Sequence, residues 1–343
     1  MVKRFRNCSN IVFVCVVAIM FLAGNAIQPS SADARDLSFG IFAGSEHYHT
    51  KAMKAWAKDV KAATDGKINI VFYPGGTLAK GPHAYNAVIK GIQDISTACC
   101  GWTKGRFPLT RVVDLPLGMK TSVQASLATQ DFYNKFKPKE WDEVKVLFLF
   151  NHGHAFFHTK NKVQRLEDLK DVRIRSTGND APVVKITGAT AVGMPMSESY
   201  IALQKGIVDG ILCNFGAMKG WKLGEVTKYH LDYPVVGCAF WVAMNKEVWN
   251  SLSPEIQKAI DKVNQKHVVL TGQAWENSDI AGRAFVKSLG NKIVELPPAE
   301  QLIFKKTFDP ILQKYVEDTE AKGLPGKEAL EYIRLLVKKY EGR

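Results

Sequence analysis

Apolar positions along the chain recur with two different periods, and segments of the two kinds alternate. Lys67 to Tyr73 places Ile68, Ile70 and Phe72 on one face, which predicts a strand, whereas Thr50 to Ala63 has the three- and four-residue spacing of a helix. Six further segments are predicted strands: 37–42, 95–100, 146–150, 172–175, 191–192 and 208–213. Three more are predicted helices: 85–90, 181–186 and 197–205. Strands alternating with helices predict an α/β fold with mostly parallel sheets.

The last ninety residues have a helical pattern with clear boundaries. Ser253 and Pro254 supply a capping side chain and a first-turn proline, and Ile260, Val263 and Val268 continue the apolar face. This pattern predicts a long helix. The double proline at 297–298 and the segment 323–326, which holds two glycines and a proline, are expected to break the helical region that follows.

The first 34 residues have the layout of a secretory signal peptide. Lys3, Arg4 and Arg6 precede the apolar run 11–22, and residues 32–34 form a small-residue cleavage pattern. The apolar run is shorter than the roughly 20 residues that a spanning helix needs. We therefore expect residues 1–34 to be removed and the protein to act in the periplasm.

Cleavage would leave 309 of the 343 residues, a length that suits two lobes. The net charge of +13 favours anionic partners. The basic residues are spread over many predicted helices, so we expect no nucleic acid partner. Two interpretations of the charge stay open: a generally basic surface, and steering of an anionic ligand.

Four cysteines follow the predicted signal peptide: Cys99, Cys100, Cys213 and Cys238. Each lies in an apolar strand-like run, where a free cysteine behaves as a small buried hydrophobic residue. We expect buried thiols and leave open a bridge between Cys213 and Cys238, since exported proteins can form disulfides.

One part of the chain carries specific blocks of sequence. Residues 166–175 read Leu-Glu-Asp-Leu-Lys-Asp-Val-Arg-Ile-Arg, and residues 197–210 form a helix-strand block ending in Val-Asp-Gly. Residues 225–229 and 245–249 follow at characteristic spacing. In order and spacing these blocks resemble the DctP-type substrate-binding proteins of TRAP (tripartite ATP-independent periplasmic) transporters, over essentially the whole mature chain.

The resemblance implies a two-lobe periplasmic binding protein fold with mixed sheets, hinge strands and a long helix spanning both lobes. We assign residues 35–151 and 238–273 to lobe I, and residues 152–237 and 274–343 to lobe II. We expect a monomer without a cofactor. It closes on a small organic anion and, as the resemblance implies, delivers it to a small and a large TRAP membrane subunit.

The strongest candidate for ligand binding is Arg175. In the predicted strand 172–175, Val172 and Ile174 share the buried face, and Arg175 stands last, at the carboxyl end, where ligands of α/β sheets bind. A guanidinium group matches a carboxylate or a sulfonate such as isethionate with two parallel hydrogen bonds. The resemblance implies the same role for this arginine, against the alternative of a surface arginine in a salt bridge.

Further candidates follow other predicted strands. Asn214 succeeds the strand 208–213, and relatives use an asparagine near this point. Phe215 nearby is a candidate apolar wall, and Trp102 lies at the open end of the strand 95–100. Asn179 follows Arg175 in the turn before the next helix. Ordinary packing and turn formation are the alternatives for each of these residues.

Histidines occur in two close pairs, 47 with 49 and 152 with 154, and His158 follows. Imidazoles are common zinc ligands, so a periplasmic metal-binding protein is an alternative function. Strand spacing puts each pair on one face without a metal, and His47 and His154 are instead predicted to face the ligand. No nucleophile elbow, phosphate loop or His-Glu-x-x-His helix is present, so we expect no enzyme. A partner of a signalling receptor is the other alternative.

Overall fold

The structure is a computed structural model that describes residues 34–177 and 179–343. The predicted signal peptide at 1–34 therefore lies almost wholly outside the described residues. Among the described helices, none combines the length and the apolar character needed to cross a membrane.

Eleven strands in the described residues form two sheets. They are β1 (Arg35–Ile41), β2 (Ile68–Tyr73), β3 (Ile95–Cys99), β4 (Val144–Asn151), β5 (Phe156–Thr159), β6 (Arg173–Ser176), β7 (Thr190–Gly193), β8 (Gly210–Cys213), β9 (Tyr229–Leu231), β10 (Ala239–Asn245) and β11 (Lys292–Val294). The first sheet has the order β2-β1-β3-β10-β4, and the second β11-β9-β5-β8-β6-β7. This is the predicted α/β class with mixed sheets.

Ten α-helices lie among the described residues, and all except those at 122–136, 215–220 and 246–250 match segments with a predicted helical pattern. They are α1 (Tyr48–Ala63), α2 (Ala84–Ile89), α3 (Ser122–Phe136), α4 (Ala181–Ile186), α5 (Ser199–Gln204), α6 (Phe215–Gly220), α7 (Lys246–Asn250), α8 (Pro254–Ser288), α9 (Pro298–Glu320) and α10 (Gly326–Lys339). Ser253 caps α8 through a bond from the Ile256 amide to its hydroxyl, as predicted. The breaks expected at 297–298 and 323–326 are also confirmed.

The sheets are less parallel than the sequence pattern indicates. β10 runs antiparallel to both β3 and β4 in the first sheet. β5 runs antiparallel to β8 and β9 in the second. The prediction of mostly parallel sheets is wrong at β5 and β10. Each of these two strands enters its sheet directly from the other sheet, without the intervening helix that a parallel connection needs.

Two short segments carry the chain between the sheets. Residues 152–155 join β4 to β5, and residues 236–238 return to β10. The two segments are hydrogen-bonded to each other: the Ala155 amide donates to the Val236 carbonyl at 2.8 Å, and the His152 amide donates to the Cys238 carbonyl at 3.1 Å. Asn151 Oδ1 accepts from the amides of both Gly153 and Cys238, each at 3.0 Å. The crossings thus form one paired ribbon.

The 35-residue helix α8 packs against elements that cover both sheets. It contacts α1, α3 and β4 of the first sheet and α6 beside the second. The close approach to α6 requires Gly282, where an added Cβ would lie 1.9 Å from the Phe215 carbonyl oxygen. A helix that spans both sheets is therefore observed.

The strands of the first sheet come from segments 35–151 and 239–245, and those of the second from 156–231 and 292–294. The C-terminal helix α10 packs on α3, which covers the first sheet. The division into two lobes with the boundaries given above stays a prediction.

All four cysteines in the described residues are buried, as expected. Cys238 nevertheless lies against Cys99 rather than Cys213, with 2.6 Å between the two sulfur atoms. The pairing left open for Cys213 and Cys238 is therefore replaced by a different neighbour, which the antiparallel β3–β10 pairing brings close.

Candidate functional site

An inner cavity lies where the carboxyl ends of parallel strands from both sheets meet. β6 is parallel to β7 and β8 in the second sheet, and β1 is parallel to β3 in the first. The residues that follow these strands line the cavity, which is the expected place for a ligand in α/β sheets. Its volume is about 50 Å³, several times the roughly 10–15 Å³ that one water molecule needs.

The charged group in this wall is Arg175. Its side chain is only 1% exposed, and its Nε and Nη2 atoms donate to the Met194 carbonyl at 3.1 and 2.9 Å. Within residues 34–177 and 179–343, no carboxylate oxygen forms an ion pair with this guanidinium. The structure thus fixes one edge of the guanidinium fork and leaves donors of Nη1 for another partner.

A buried cation without a paired anion is costly. Burial lowers the pKa of Arg175, and Asp180, which also lines the cavity, opposes that shift through its charge. Asp180 is held by a short hydrogen bond from the Thr177 hydroxyl, and burial raises the pKa of its carboxyl group. The Thr177 hydroxyl thus engages the Asp180 carboxyl group, and an anionic ligand on the free edge of the guanidinium would balance the charge of Arg175.

Asn214 also lines the cavity, at the amino end of α6. Its Nδ2 atom donates to Asp279 Oδ1 at 2.8 Å, and the Gly216 amide donates to the same oxygen at 2.7 Å. Burial raises the pKa of Asp279 to about 7. The long helix α8, which carries Asp279, thereby fixes the asparagine amide at the cavity wall.

Aromatic rings form most of the remaining wall. Trp102 stands edge-to-face with Phe42 at 4.6 Å and with Phe240 at 5.9 Å, and Phe240 lies 5.2 Å from Trp275. Trp221 completes the lining from the second sheet. Rings held in this way can enclose a flat apolar body by edge and face contacts.

Two histidines line the cavity, but one of the predicted pair lies elsewhere. His47 and His152 are in the wall, whereas His154 borders a separate small pocket beside residues 115–119. Gly153 has a φ of +82°, so the backbone turns over and the two flanking side chains point in different directions. The expectation that spacing of two places 152 and 154 on one face is therefore wrong.

Two other predicted residues are placed outside the inner cavity. Asn179 donates to Asp114 Oδ2 at 3.2 Å and packs against Gly101. Phe215 is fully buried below the cavity, where the Arg283 guanidinium lies 3.9 Å from the centre of its ring. The inner cavity therefore brings together Arg175, Asn214, Trp102 and His47, whereas His154, Asn179 and Phe215 do not line it.

Sequence reasoning missed several cavity residues. His152, Tyr48, Phe240 and Trp275 all line the wall. Trp275 Nε1 and His152 Nδ1 have no hydrogen-bond partner among the residues that the structure describes. Only His152 carried a usable signal, since it follows β4 directly at a strand end. The others come from a helix or a crossing strand, where the chain gives no sign of a ligand.

A larger outer cavity continues from the inner one. Its volume is about 290 Å³, and both cavities share Phe42, Trp102, Thr177, Met196 and Trp221 in their walls. Lys80 and Lys104 line the outer part. The positive charge at this entrance favours the approach of an anion.

The histidine content does not produce a metal site. Across the described residues, no three His, Cys, Asp or Glu side chains converge in a way that could hold a metal ion. His158 instead bonds His230 through their Nδ1 atoms at 2.8 Å, and its Nε2 atom bonds the Cys213 carbonyl at 3.0 Å. These contacts account for the burial of His158 and His230 without a metal ion.

Comparison with known proteins identifies the family. Residues 39–319 match the model of DctP, described as bacterial extracellular solute-binding protein, family 7. The chain belongs to this family. The resemblance noted in the sequence is therefore confirmed, and the protein is a TRAP solute-binding protein whose family and fold are those of transport proteins.

Three solved structures are similar over nearly the whole chain. One is a TRAP periplasmic solute-binding protein from Desulfovibrio salexigens DSM2638, an open complex with the C-terminus of a symmetry mate in its ligand site. It is 31% identical with a TM-score of 0.81, and the match covers 91% of this chain and 98% of that one. A protein from Rhodoferax ferrireducens T118 in complex with benzoate is 29% identical with a TM-score of 0.85, covering 90% and 98%. A marine metagenome protein specific for aromatic acid ligands, in complex with 3-hydroxybenzoate, is 29% identical with a TM-score of 0.86, covering 90% and 99%.

Proposed function

We propose that this protein captures a small aromatic carboxylate in the periplasm and delivers it to TRAP membrane subunits. The observation that carries the proposal is the buried Arg175 guanidinium, which has no ion-pairing carboxylate among the described residues and borders a cavity between the two sheets. A carboxylate on its free edge would restore charge balance with charge-assisted hydrogen bonds.

The aromatic wall favours a ring over the other ligand classes that a guanidinium accepts. Trp102, Phe240 and Trp275 enclose the space next to Arg175, so a flat ring would gain contact area and edge-to-face interactions. A short aliphatic sulfonate such as isethionate would satisfy the cation and leave these rings without contact. The benzoate and 3-hydroxybenzoate complexes of two relatives support this preference.

Capture would proceed by closure of the two lobes about the paired crossing segments 152–155 and 236–238. Residues from both sheets line the same cavity, so a ligand that touches both favours the closed state. Few residues separate the strands at the crossings, which suits a hinge. Export by cleavage of the segment 1–34 would place this cycle in the periplasm, beside the membrane subunits.

A thermal-shift screen of the mature protein tests the ligand class. We expect benzoate at about 100 times its Kd to raise the melting temperature by about 5 °C or more. Cyclohexanecarboxylate and isethionate should stabilise less, because they keep the charge and lack the aromatic ring. Benzamide, which keeps the ring and lacks the charge, should have no effect. Equal stabilisation by benzamide and benzoate would contradict the proposed role of the charge.

Delivery is tested in vesicles that contain the cognate small and large membrane subunits. The loaded protein should be required for uptake of the radiolabelled acid down an imposed ion gradient. Uptake that proceeds equally without the protein would contradict the transport role.

A further inference from the structure

Two cysteine sulfur atoms meet beside the inner cavity. Cys99 ends β3, Cys238 lies directly before β10, and their Sγ atoms are 2.6 Å apart. Unbonded heavy atoms settle at about 3.5–4.0 Å, whereas the bond in a disulfide is about 2.05 Å long. The separation is therefore much shorter than an ordinary contact between two thiols.

The backbone on both sides of Cys238 is fixed. Its amide donates to Asn151 Oδ1 at 3.0 Å, its carbonyl accepts from the His152 amide at 3.1 Å, and the Ala239 amide donates to Asp114 Oδ1 at 2.7 Å. On the other strand, Cys99 is paired opposite Phe240 in the β3–β10 ladder. Main-chain pairing thus holds Cys238 close to the strand position of Cys99, with the two sulfur atoms facing each other.

The other two cysteines are placed differently. Cys100 belongs to a different buried cluster from its neighbour Cys99, on the far side of the sheet. Cys213 lies in a third cluster, at the end of β8, although its side chain reaches the same cavity as Cys238. The geometry therefore singles out one of the pairs that four cysteines allow.

We propose that Cys99 and Cys238 form a disulfide bond in the exported protein. The proposal rests on the export that is part of the proposed function, because disulfides persist in oxidising compartments such as the periplasm. The oxidant would be a disulfide of a protein or a small molecule. One cysteine thiolate attacks it to give a mixed disulfide, the second displaces the bound half, and two thiols of the former oxidant leave with the two electrons and two protons.

Oxidation would occur during folding rather than afterwards. Burial raises the pKa of both thiols, so the folded protein contains little of the reactive thiolate. Once formed, the bond would tie the returning crossing segment to the end of β3, in the wall that faces the ligand. It would also close a loop between cysteines 139 positions apart, which restricts the unfolded chain strongly.

Alkylation under denaturing conditions tests the proposal on protein purified from the periplasm of an expressing bacterium. The intact mass establishes first whether the segment 1–34 has been removed, which tests export separately. Without reductant, we expect two of the four mature cysteines to react with N-ethylmaleimide, and all four after reduction. Fragmentation of the digested, unreduced protein should give a peptide pair linked through Cys99 and Cys238.

Matched variants distinguish this pair from its neighbours. Cys100→Ser and Cys213→Ser should keep the linked pair, whereas Cys99→Ser and Cys238→Ser should lose it. Reductant should lower the melting temperature of the wild type by about 4–8 °C and leave that of the Cys99→Ser/Cys238→Ser double variant unchanged. Four reactive cysteines in correctly processed, unreduced protein would overturn the proposal, as would a bond through Cys100 or Cys213.

Discussion

Replacing Gly282 with alanine is expected to push the long helix α8 away from α6, the helix that begins directly after Asn214 in the ligand site. Gly282 faces the start of α6, where an added Cβ would lie 1.9 Å from the Phe215 carbonyl oxygen and 2.9 Å from the Gly216 nitrogen. Both are backbone atoms, so no side-chain rotation relieves the clash. Real Cβ atoms essentially never come closer than 3.0 Å to another heavy atom. Accommodating the alanine therefore requires α8 and α6 to move apart by roughly 1.1 Å.

That displacement would break the contacts that orient Asn214. Asp279 lies one turn before Gly282 on α8, and its Oδ1 atom accepts from Asn214 at 2.8 Å and from the Gly216 amide at 2.7 Å. Overpacking costs about 1–3 kcal/mol, and loss of a hydrogen bond to a charged group costs about 1.5–3 kcal/mol. The higher helix propensity of alanine returns about 1 kcal/mol. The expected net loss in the free energy of unfolding is about 1.5–5 kcal/mol.

Urea denaturation and thermal melting measure this loss. A fall in melting temperature of about 3–15 °C is expected for Gly282→Ala, together with weaker binding of the aromatic acid. Gly44→Ala is the matched control, because nothing lies within 4 Å of the position of its added Cβ. The Gly44 variant should stay within about 0.5 kcal/mol of the wild type. A Gly282 variant as stable as the wild type would refute the close packing of α8 on α6.

Three further predictions concern protonation and the cavity wall. Burial, with a smaller effect of Arg283, lowers the pKa of His230 from 6.5 to about 4. Below pH 6.5 the unfolded state therefore binds more protons at this residue than the folded state does. Lowering the pH from 7.5 to 5 should reduce the free energy of unfolding by about 2 kcal/mol through His230. In urea denaturation, the stability of His230→Gln should fall about 2 kcal/mol less than that of the wild type between pH 7.5 and 5. The same pH dependence in the variant and the wild type would contradict this role of His230. Burial raises the pKa of the Asp279 carboxyl group to about 7, so its charged form destabilises the folded protein at pH 8. Asp279→Asn keeps an acceptor oxygen and should melt at a higher temperature than the wild type at pH 8, and the difference should vanish below about pH 4. Equal melting temperatures at pH 8 would argue against the raised pKa. Trp102→Leu should weaken benzoate binding about tenfold in calorimetry, since edge-to-face contacts are lost, and unchanged affinity would place the ring elsewhere.

The sequence predicts those elements whose signals are local. The start of α8 follows from a serine and a proline next to an apolar stripe, and the position of Arg175 at a strand end follows from the alternation of residues 172–175. The helix α3 was missed because its buried face is partly polar. Ser126 Oγ accepts from the Asn151 amide at 3.0 Å, and Gln130 Oε1 accepts from the Leu149 amide at 2.7 Å, so this face satisfies the free edge of β4 instead of packing as an apolar stripe.

The rest of the site depends on contacts between distant segments. Arg175 is buried although Arg173, two residues earlier on the same strand, stays exposed in an ion pair with Asp209. The difference comes from the Met194 carbonyl and the cavity wall, which only the assembled fold provides. Likewise, the approach of Cys99 and Cys238 depends on strand pairing across 139 positions, which a local pattern does not encode.

The most direct test of the proposed function is calorimetric titration of the mature protein with benzoate, comparing Arg175→Lys with Arg173→Ala. Arg173 is the matched control because it lies on the same strand and binds Asp209 at the surface. Lysine keeps the charge and lacks the planar fork, so Arg175→Lys should bind at least about 30-fold more weakly, while Arg173→Ala should bind as the wild type does. Equal affinity of the wild type and Arg175→Lys, or an equal loss in both variants, would contradict the assignment of Arg175 as the anion-binding group.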